Sequence, residues 1–243
     1  MLFNSLQFLL FFFAFFFILF SIPQNLRKPW LLIASCYFYL FFKPVYLLIL
    51  IVVIAIDYFA GRQIEKSSNY KKSWLVISLV SNIGILVFYK YYNFLNESIS
   101  VLLNLVHVQN HLPVLDVILP IGLSFHTFQA MSYTIEVYRG NQKAERNFLN
   151  YSLYVMYFPQ LVAGPIERPQ QLLSKFRQPL VFNGRNLTEG IFRIACGVFK
   201  KVVIADRLAL FVDPVFDHIY PSNGLSVLIA TIFFAFEIYC DFS

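Results

Sequence analysis

The N-terminal sequence is an apolar run long enough to cross a membrane. Residues 2–22 include no charged side chain, and about 20 predominantly apolar residues are what a helix needs to span the hydrocarbon core. A cleaved signal peptide would carry basic residues before its apolar stretch, whereas Arg27 and Lys28 follow this one. We therefore predict an uncleaved membrane span with the N-terminus outside.

Further apolar runs follow along the chain, at residues 30–42, 45–60, 73–92, 115–137 and 225–242. Hydrophobic residues make up 58% of the sequence and charged residues only 13%, about half of the share in ordinary soluble domains. Helices are the simplest way to satisfy the backbone of such runs inside lipid. The sequence predicts an all-α, polytopic membrane protein with a single domain over residues 1–243. Residues 93–113 lack Lys and Arg and are predicted to form an amphipathic surface helix outside.

Basic residues are confined to the short gaps between the apolar runs, which is the positive-inside pattern of membrane proteins. The net charge of +6 therefore indicates topology, and no nucleic-acid partner is expected. One segment breaks the alternation, because residues 148–163 have the length of a crossing but basic residues on both sides. Either this segment dips in and returns, or it is a helix buried within the protein, where irregular backbone is tolerated.

Neither a disulfide framework nor a metal site is indicated. The cysteines lie in apolar segments without CxxC spacing: Cys36, Cys196 and Cys240. No ligand-type residue stands at metal-binding spacing from His126, and the other histidines fall in interfacial or loop segments: His107, His111 and His218. We predict that no metal is bound.

Polar side chains interrupt the apolar sequence of residues 119–140. On a helix, His126, Gln129 and Ser132 share one face, and Ser124 lies off this stripe. Polar groups inside a span are rare and mark functional sites, so we predict that they line a wet tunnel. The alternative is that these side chains hydrogen-bond to neighbouring helices and only hold the bundle together.

A second polar group accompanies a Gly-Pro break within residues 157–173. Gln160, Glu167 and Arg168 bring polar side chains to this break, where freed backbone groups could face a ligand. The alternative is a simple interfacial ion pair of Glu167 with Arg168 or Arg177.

Two further segments place charge beside apolar sequence. The basic cluster of residues 199–207 is predicted to anchor a helix at lipid headgroups. Glu237 and Asp241 are four positions apart and share a helical face inside the last apolar run. Carboxylates at that depth need partners, and none follows them in the sequence. We include both among the residues predicted to line a substrate path.

Four motifs together resemble the membrane-bound O-acyltransferase family, in its bacterial, alginate-type branch. The motifs are LPIGLSFHTFQAMSYTIEVYRG (119–140), YFPQLVAGPIERPQQLLSKF (157–176), FKKVVIADRLA (199–209) and FEIYCDFS (236–243). The resemblance covers nearly the whole chain. It implies a ring of tilted helices around a central tunnel, in which an acyl group from one side meets a hydroxyl acceptor from the other.

The resemblance also implies substrates and partners. It implies no bound cofactor, an acyl donor that is acetyl-CoA or an acyl carrier, and a polysaccharide hydroxyl as acceptor. The implied partners are membrane lipid and either the polysaccharide or a partner transferase subunit, in a bacterial inner membrane.

The family's catalytic histidines belong to a segment that would follow Ser243, so no catalytic residue is assigned here. His126 matches neither of those histidines. An alcohol needs a positioned base to attack an acyl group, and we expect the 243 residues alone to be an inactive N-terminal half. The chain also stops inside an apolar run, which favours the same interpretation.

Two other classes of function compete with acyl transfer. A transporter would also have broken helices and polar groups at mid-membrane, but it predicts repeat symmetry, and the sequence shows none. A non-enzymatic assembly subunit would bind a partner that supplies the missing chemistry.

Overall fold

A computed structural model of the chain describes residues 5–41, 44–105, 110, 112–115, 122–161, 164, 167–217 and 223–242, to which the structural statements below refer. All regular secondary structure in these ranges is helical. This confirms the predicted all-α fold.

The helices are α1 (Leu6–Ser21), α2 (Gln24–Leu40), α3 (Pro44–Lys66), α4 (Lys71–Leu105), α5 (Leu123–Tyr138), α6 (Phe148–Met156), α7 (Phe158–Leu161), α8 (Pro169–Arg177), α9 (Gly184–Phe199), α10 (Asp206–Phe216) and α11 (Gly224–Phe242). A π-helical segment, Lys200–Ala205, joins α9 to α10. The chain divides into a first unit, Gln7–Leu180, and a second unit, made mainly of Val181–Ser243. The single domain over residues 1–243 stays a prediction.

Three of these helices, α3, α4 and α11, are long and apolar enough to cross a membrane, and α1 is apolar but shorter. The predicted polytopic membrane character is therefore confirmed. The predicted surface helix starting at residue 93 is wrong, because α4 continues without a break to Leu105 as one helix of 35 residues. Its spacing of apolar residues is also compatible with the continuation of a longer helix, so periodicity alone could not place the boundary.

The core of the first unit lies where α3 packs against α4 and α5, and where α2 packs against α6. Aromatic side chains fill much of it, and Phe158 meets both Phe15 and Phe38 in ring contacts. The apolar side chains of α4 are largely exposed, as with Val80 at 64% and Leu102 at 63%. Such a face suits lipid rather than water.

α6, α7 and α8 form an element that enters the first unit and returns, which we call the returning element. α6 has nine residues, about 14 Å of helix, which is less than half of the hydrocarbon thickness. Residues 150–156 are all buried. Arg177 ends α8, and its Nε lies 2.9 Å from Oε2 of Glu145, which precedes α6. Both ends of the element thus meet, so the segment dips in and returns while it is enclosed by protein.

The basic segments of the first unit gather on the side where this element starts and ends. Lys28 Nζ, at the start of α2, lies 3.5 Å from the carbonyl oxygen of Arg177. Tyr58, near the end of α3, donates to the carbonyl oxygen of Arg146. Segments far apart in sequence therefore present their Lys and Arg residues on one side, as the positive-inside pattern predicts.

In the second unit, α11 packs against α10 and against the π-helical segment. The helical backbone runs from α9 through the π-helical segment into α10. Ring contacts between Phe211 and Phe233 and between Phe216 and Phe234 join α10 to α11. The second unit is thus built around a pair of neighbouring helices.

We expect Gly61→Ala to destabilise the first unit, because α3 approaches α5 closely at this glycine. A Cβ at Gly61 would lie 2.7 Å from Tyr133 Cε1. The Tyr133 ring is completely buried and its hydroxyl accepts from Glu145 N at 2.9 Å, so it has little room to move. The free energy of unfolding in detergent should fall by about 1–3 kcal/mol.

Gly84→Ala is the matched control for this substitution. A Cβ at Gly84 would meet nothing within 4 Å, and alanine in a helix interior is favoured over glycine by about 0.5–1 kcal/mol. If both variants unfold alike, the close approach of α3 and α5 at Gly61 is contradicted.

Candidate functional site

The break between α6 and α7 frees two backbone carbonyls inside the first unit. In a continuous helix, the carbonyls of Tyr154 and Val155 would accept from the N–H groups of residues 158 and 159. Pro159 has no N–H, and Phe158 N donates instead to Ser35 Oγ at 3.2 Å. A buried carbonyl left unpaired costs about 1–3 kcal/mol, so both carbonyls need other donors.

α5 supplies these donors from one face. His126 Nδ1 lies 3.0 Å from Val155 O, and Gln129 Nε2 donates to Tyr154 O. Both side chains are only 1% exposed. Because a carbonyl oxygen can only accept, Nδ1 of His126 carries the proton, and Nε2 of the neutral ring is an acceptor. His126 and Gln129 thus make these contacts from one face of α5, as their helical spacing predicts.

Tyr154 of α6 makes a hydrogen bond in return to the backbone of α5. Its hydroxyl oxygen lies 3.1 Å from the carbonyl oxygen of Gln129 and 3.4 Å from that of Glu167. The Ser132 side chain also lies beside the Tyr154 hydroxyl. The structure therefore brings His126, Gln129, Ser132 and the backbone of Glu167 to one contact between α5 and the returning element.

Three buried acceptors at or beside the break have no hydrogen-bond partner within the part of the chain that the structure describes. They are His126 Nε2, Gln129 Oε1 and Gln160 Oε1. Buried polar atoms are nearly always paired in proteins, with protein groups or with water. Each of the three can accept a hydrogen bond from a donor such as a hydroxyl group or a water molecule.

The other predicted site residues of the first unit differ in how much of their side chains is exposed. Ser124 and Glu167 are half-buried, whereas Arg168 is exposed directly before α8. The alternative that pairs Glu167 with Arg177 is wrong, because the Arg177 guanidinium pairs with the buried Glu145. The return of α8 brings Arg177 to the loop before α6 instead.

Asp241, in the second unit, has a cationic partner that lies earlier in the chain. Lys201 Nζ is 2.9 Å from Asp241 Oδ1 and 3.1 Å from Asp206 Oδ1. Lys201 belongs to the π-helical segment, and π-helical turns are frequent at functional sites. The basic cluster therefore contributes an ion pair in addition to any contact with headgroups. Glu237 is half-buried, and its Oε2 has no hydrogen-bond partner in the described ranges.

Sequence reasoning missed a second buried polar group, centred on Asp57 of α3. Ser78 Oγ lies 2.6 Å from Asp57 Oδ1, and Asn82 Nδ2 lies 3.0 and 2.8 Å from the two carboxylate oxygens. Thr134 Oγ1 of α5 is 3.0 Å from Ser78 Oγ. All four side chains are at most 1% exposed. The signal was available, since Asp57 is a lone charge inside an apolar run.

Comparison with known proteins identifies the class of this chain. The model of the membrane-bound O-acyltransferase family matches residues 141–239, which include α6 to α10 and most of α11. The four sequence motifs and the helical membrane fold agree with this match. Residues 141–239 are thus shared with the membrane-bound O-acyltransferase family.

Its curated relatives are O-acetyltransferases. A probable alginate O-acetylase of Pseudomonas syringae pv. tomato is 34% identical over 252 residues, which cover 100% of this chain and 47% of the relative. A probable alginate O-acetylase of Azotobacter vinelandii is 34% identical, with 100% of this chain and 49% of the relative covered. The peptidoglycan O-acetyltransferase of Helicobacter pylori is 32% identical over 244 residues, 89% of this chain and 45% of the relative. The chain thus spans about half the length of the curated relatives it matches.

We expect Asp57→Ala to destabilise the first unit strongly. The substitution removes the carboxylate acceptors of Ser78 and Asn82, which keep only Thr134 Oγ1 and the Ser78 carbonyl oxygen as acceptors, and the loss of these buried hydrogen bonds should cost about 1–3 kcal/mol. Asp57→Asn keeps one acceptor oxygen and should lose less. The free energy of unfolding in detergent measures both effects.

Glu97→Ala serves as the control, because it removes an exposed carboxylate from α4. Its stability should stay within about 0.5 kcal/mol of the parent chain. An Asp57→Ala chain as stable as the Glu97→Ala chain would mean that the buried network contributes nothing.

Proposed function

We propose that these residues form part of a membrane O-acetyltransferase that moves acetyl groups to hydroxyls of a cell-envelope polysaccharide, with alginate-type acetylation as the nearest model. The relatives are named for acetyl transfer to alginate or to peptidoglycan, which supports this proposal. The observation that carries the proposal is the contact of α5 with the broken returning element, where buried acceptors have no partner among the residues that the structure describes.

The proposed role of this contact is to line the path of the substrates. His126 Nε2, Gln129 Oε1 and Gln160 Oε1 can accept hydrogen bonds from a hydroxyl acceptor or from water that accompanies it. Ser132 and Glu167 lie at the same contact. We assign the lining role also to the candidates more distant from the break, which are Ser124, Arg168, Glu237 and Asp241.

In the proposed reaction, the acceptor oxygen attacks the acyl carbonyl of a thioester donor such as acetyl-CoA or an acyl carrier. A new ester C–O bond forms, the C–S bond breaks, and the hydroxyl proton passes to a base while the thiolate leaves. No residue of this chain is assigned as that base. We therefore propose that acetyl transfer needs a histidine outside these 243 residues.

The proposed location is the bacterial inner membrane, with the N-terminus outside and the basic segments in the cytoplasm. The gathering of these segments on one side of the first unit supports this orientation. A cytoplasmic thioester and an external polysaccharide would then reach the protein from opposite sides.

The proposal is tested by deleting the reading frame that encodes these residues in the organism that carries it. Acetate bound as ester to envelope polysaccharide, released by mild alkali, should fall to background and return on complementation. Unchanged ester acetate together with altered uptake or export of a solute would favour a transporter instead.

We expect His126→Phe, made in the complete reading frame, to lower ester acetate per folded protein by about tenfold or more, because phenylalanine has no acceptor in place of Nε2. Acetate and the amount of folded protein are measured in the same membranes. Phe128→Leu alters a neighbouring side chain that is 49% exposed and should leave acetylation unchanged. If the His126→Phe protein is less stable but transfers acetyl normally per folded molecule, His126 only holds the helices together.

A further inference from the structure

The loop between α5 and α6 has a backbone fixed by hydrogen bonds. The N–H groups of residues 144–147 all donate to side chains of the first unit, at 2.9 to 3.3 Å. The acceptors are the carboxylates of Glu65 and Glu145 and the hydroxyl of Tyr133. The backbone that carries the exposed side chains of this loop is therefore rigid.

Tyr58 joins this loop to the end of α3. The Arg62 guanidinium carbon lies 5.6 Å from the centre of the Tyr58 ring, and the Tyr58 hydroxyl donates to the carbonyl oxygen of Arg146. Two segments more than 70 residues apart in sequence thus meet at one tyrosine. We name the cations on these two segments the basic face, which comprises Arg62, Lys66, Lys143 and Arg146.

The basic face carries positive charge that its surroundings do not neutralise. All four of its residues are exposed, and in the described ranges none of them takes part in an ion pair. Glu145 is buried and pairs with Arg177. Glu65 accepts from the backbone of Ala144 and is the one carboxylate of these two segments that stays exposed.

We propose that the basic face binds phosphate groups. Arginine guanidinium groups offer paired donors that match phosphate oxygens, and lysine adds point charge. A rigid backbone lowers the ordering cost of such binding. The phosphates have two possible sources, which are the headgroups of anionic lipids and a soluble phosphorylated ligand. This inference does not depend on the proposed acetyl transfer.

The test compares two double variants of the 243-residue chain in lipid nanodiscs. Arg62→Gln/Arg146→Gln removes two charges from the basic face. Lys71→Gln/Lys72→Gln removes two exposed charges from the start of α4 and is the matched control. Thermal unfolding of both variants verifies that they are folded.

The first arm uses discs of neutral phosphatidylcholine and titrates pyrophosphate by calorimetry. The second arm uses discs that also contain phosphatidylglycerol, and native mass spectrometry counts the anionic lipids retained by the protein. In at least one arm, binding should fall about tenfold in the arginine variant and stay near the parent value in the lysine variant.

If the arginine variant loses pyrophosphate binding, the basic face binds a soluble phosphorylated ligand. If it loses only retained anionic lipid, the basic face binds headgroups. Equal behaviour of the two variants in both arms overturns the proposal, because the cations would then act only as a topology signal. Deletion phenotypes in ester acetate are a separate measurement, so failure here leaves the proposed function standing.

Discussion

One proline without an N–H group shapes the contact of α6 with α2 and α5. Pro159 has no N–H to donate to the carbonyl of Val155. Because this carbonyl is buried, water does not readily replace the missing hydrogen bond. His126 and Gln129 of α5 and Ser35 of α2 provide the hydrogen bonds around the break. The break is thus joined to α2 and α5 by these hydrogen bonds.

The first unit contains two buried polar centres that differ in how completely they are paired. The carboxylate of Asp57 receives hydrogen bonds from Ser78 and Asn82, and a paired network of this kind rigidifies a core. At the break, Nε2 of His126 and Oε1 of Gln129 remain without partners among the residues described. The first centre therefore holds α3, α4 and α5 together, whereas the second has the free acceptors that a ligand requires.

Local patterns predicted what depends on local geometry. The 3.6-residue period was enough to place His126 and Gln129 on one face, and alternation of charge was enough to question a full crossing at residues 148–163. Pairings between distant segments were not accessible in this way. Arg177 meets Glu145, and Lys201 meets Asp241, because helices return to each other in three dimensions. A single sequence carries no direct record of such contacts.

The carboxylate in α3 has a consequence for how the chain enters the bilayer. A lone α3 would expose Asp57 to hydrocarbon, where an ionisable group is costly. Its hydrogen-bond donors, Ser78 and Asn82, belong to α4, which is synthesised later. Pairing with α4 therefore lowers the cost of placing α3 in lipid, which favours insertion of the two helices together as a hairpin.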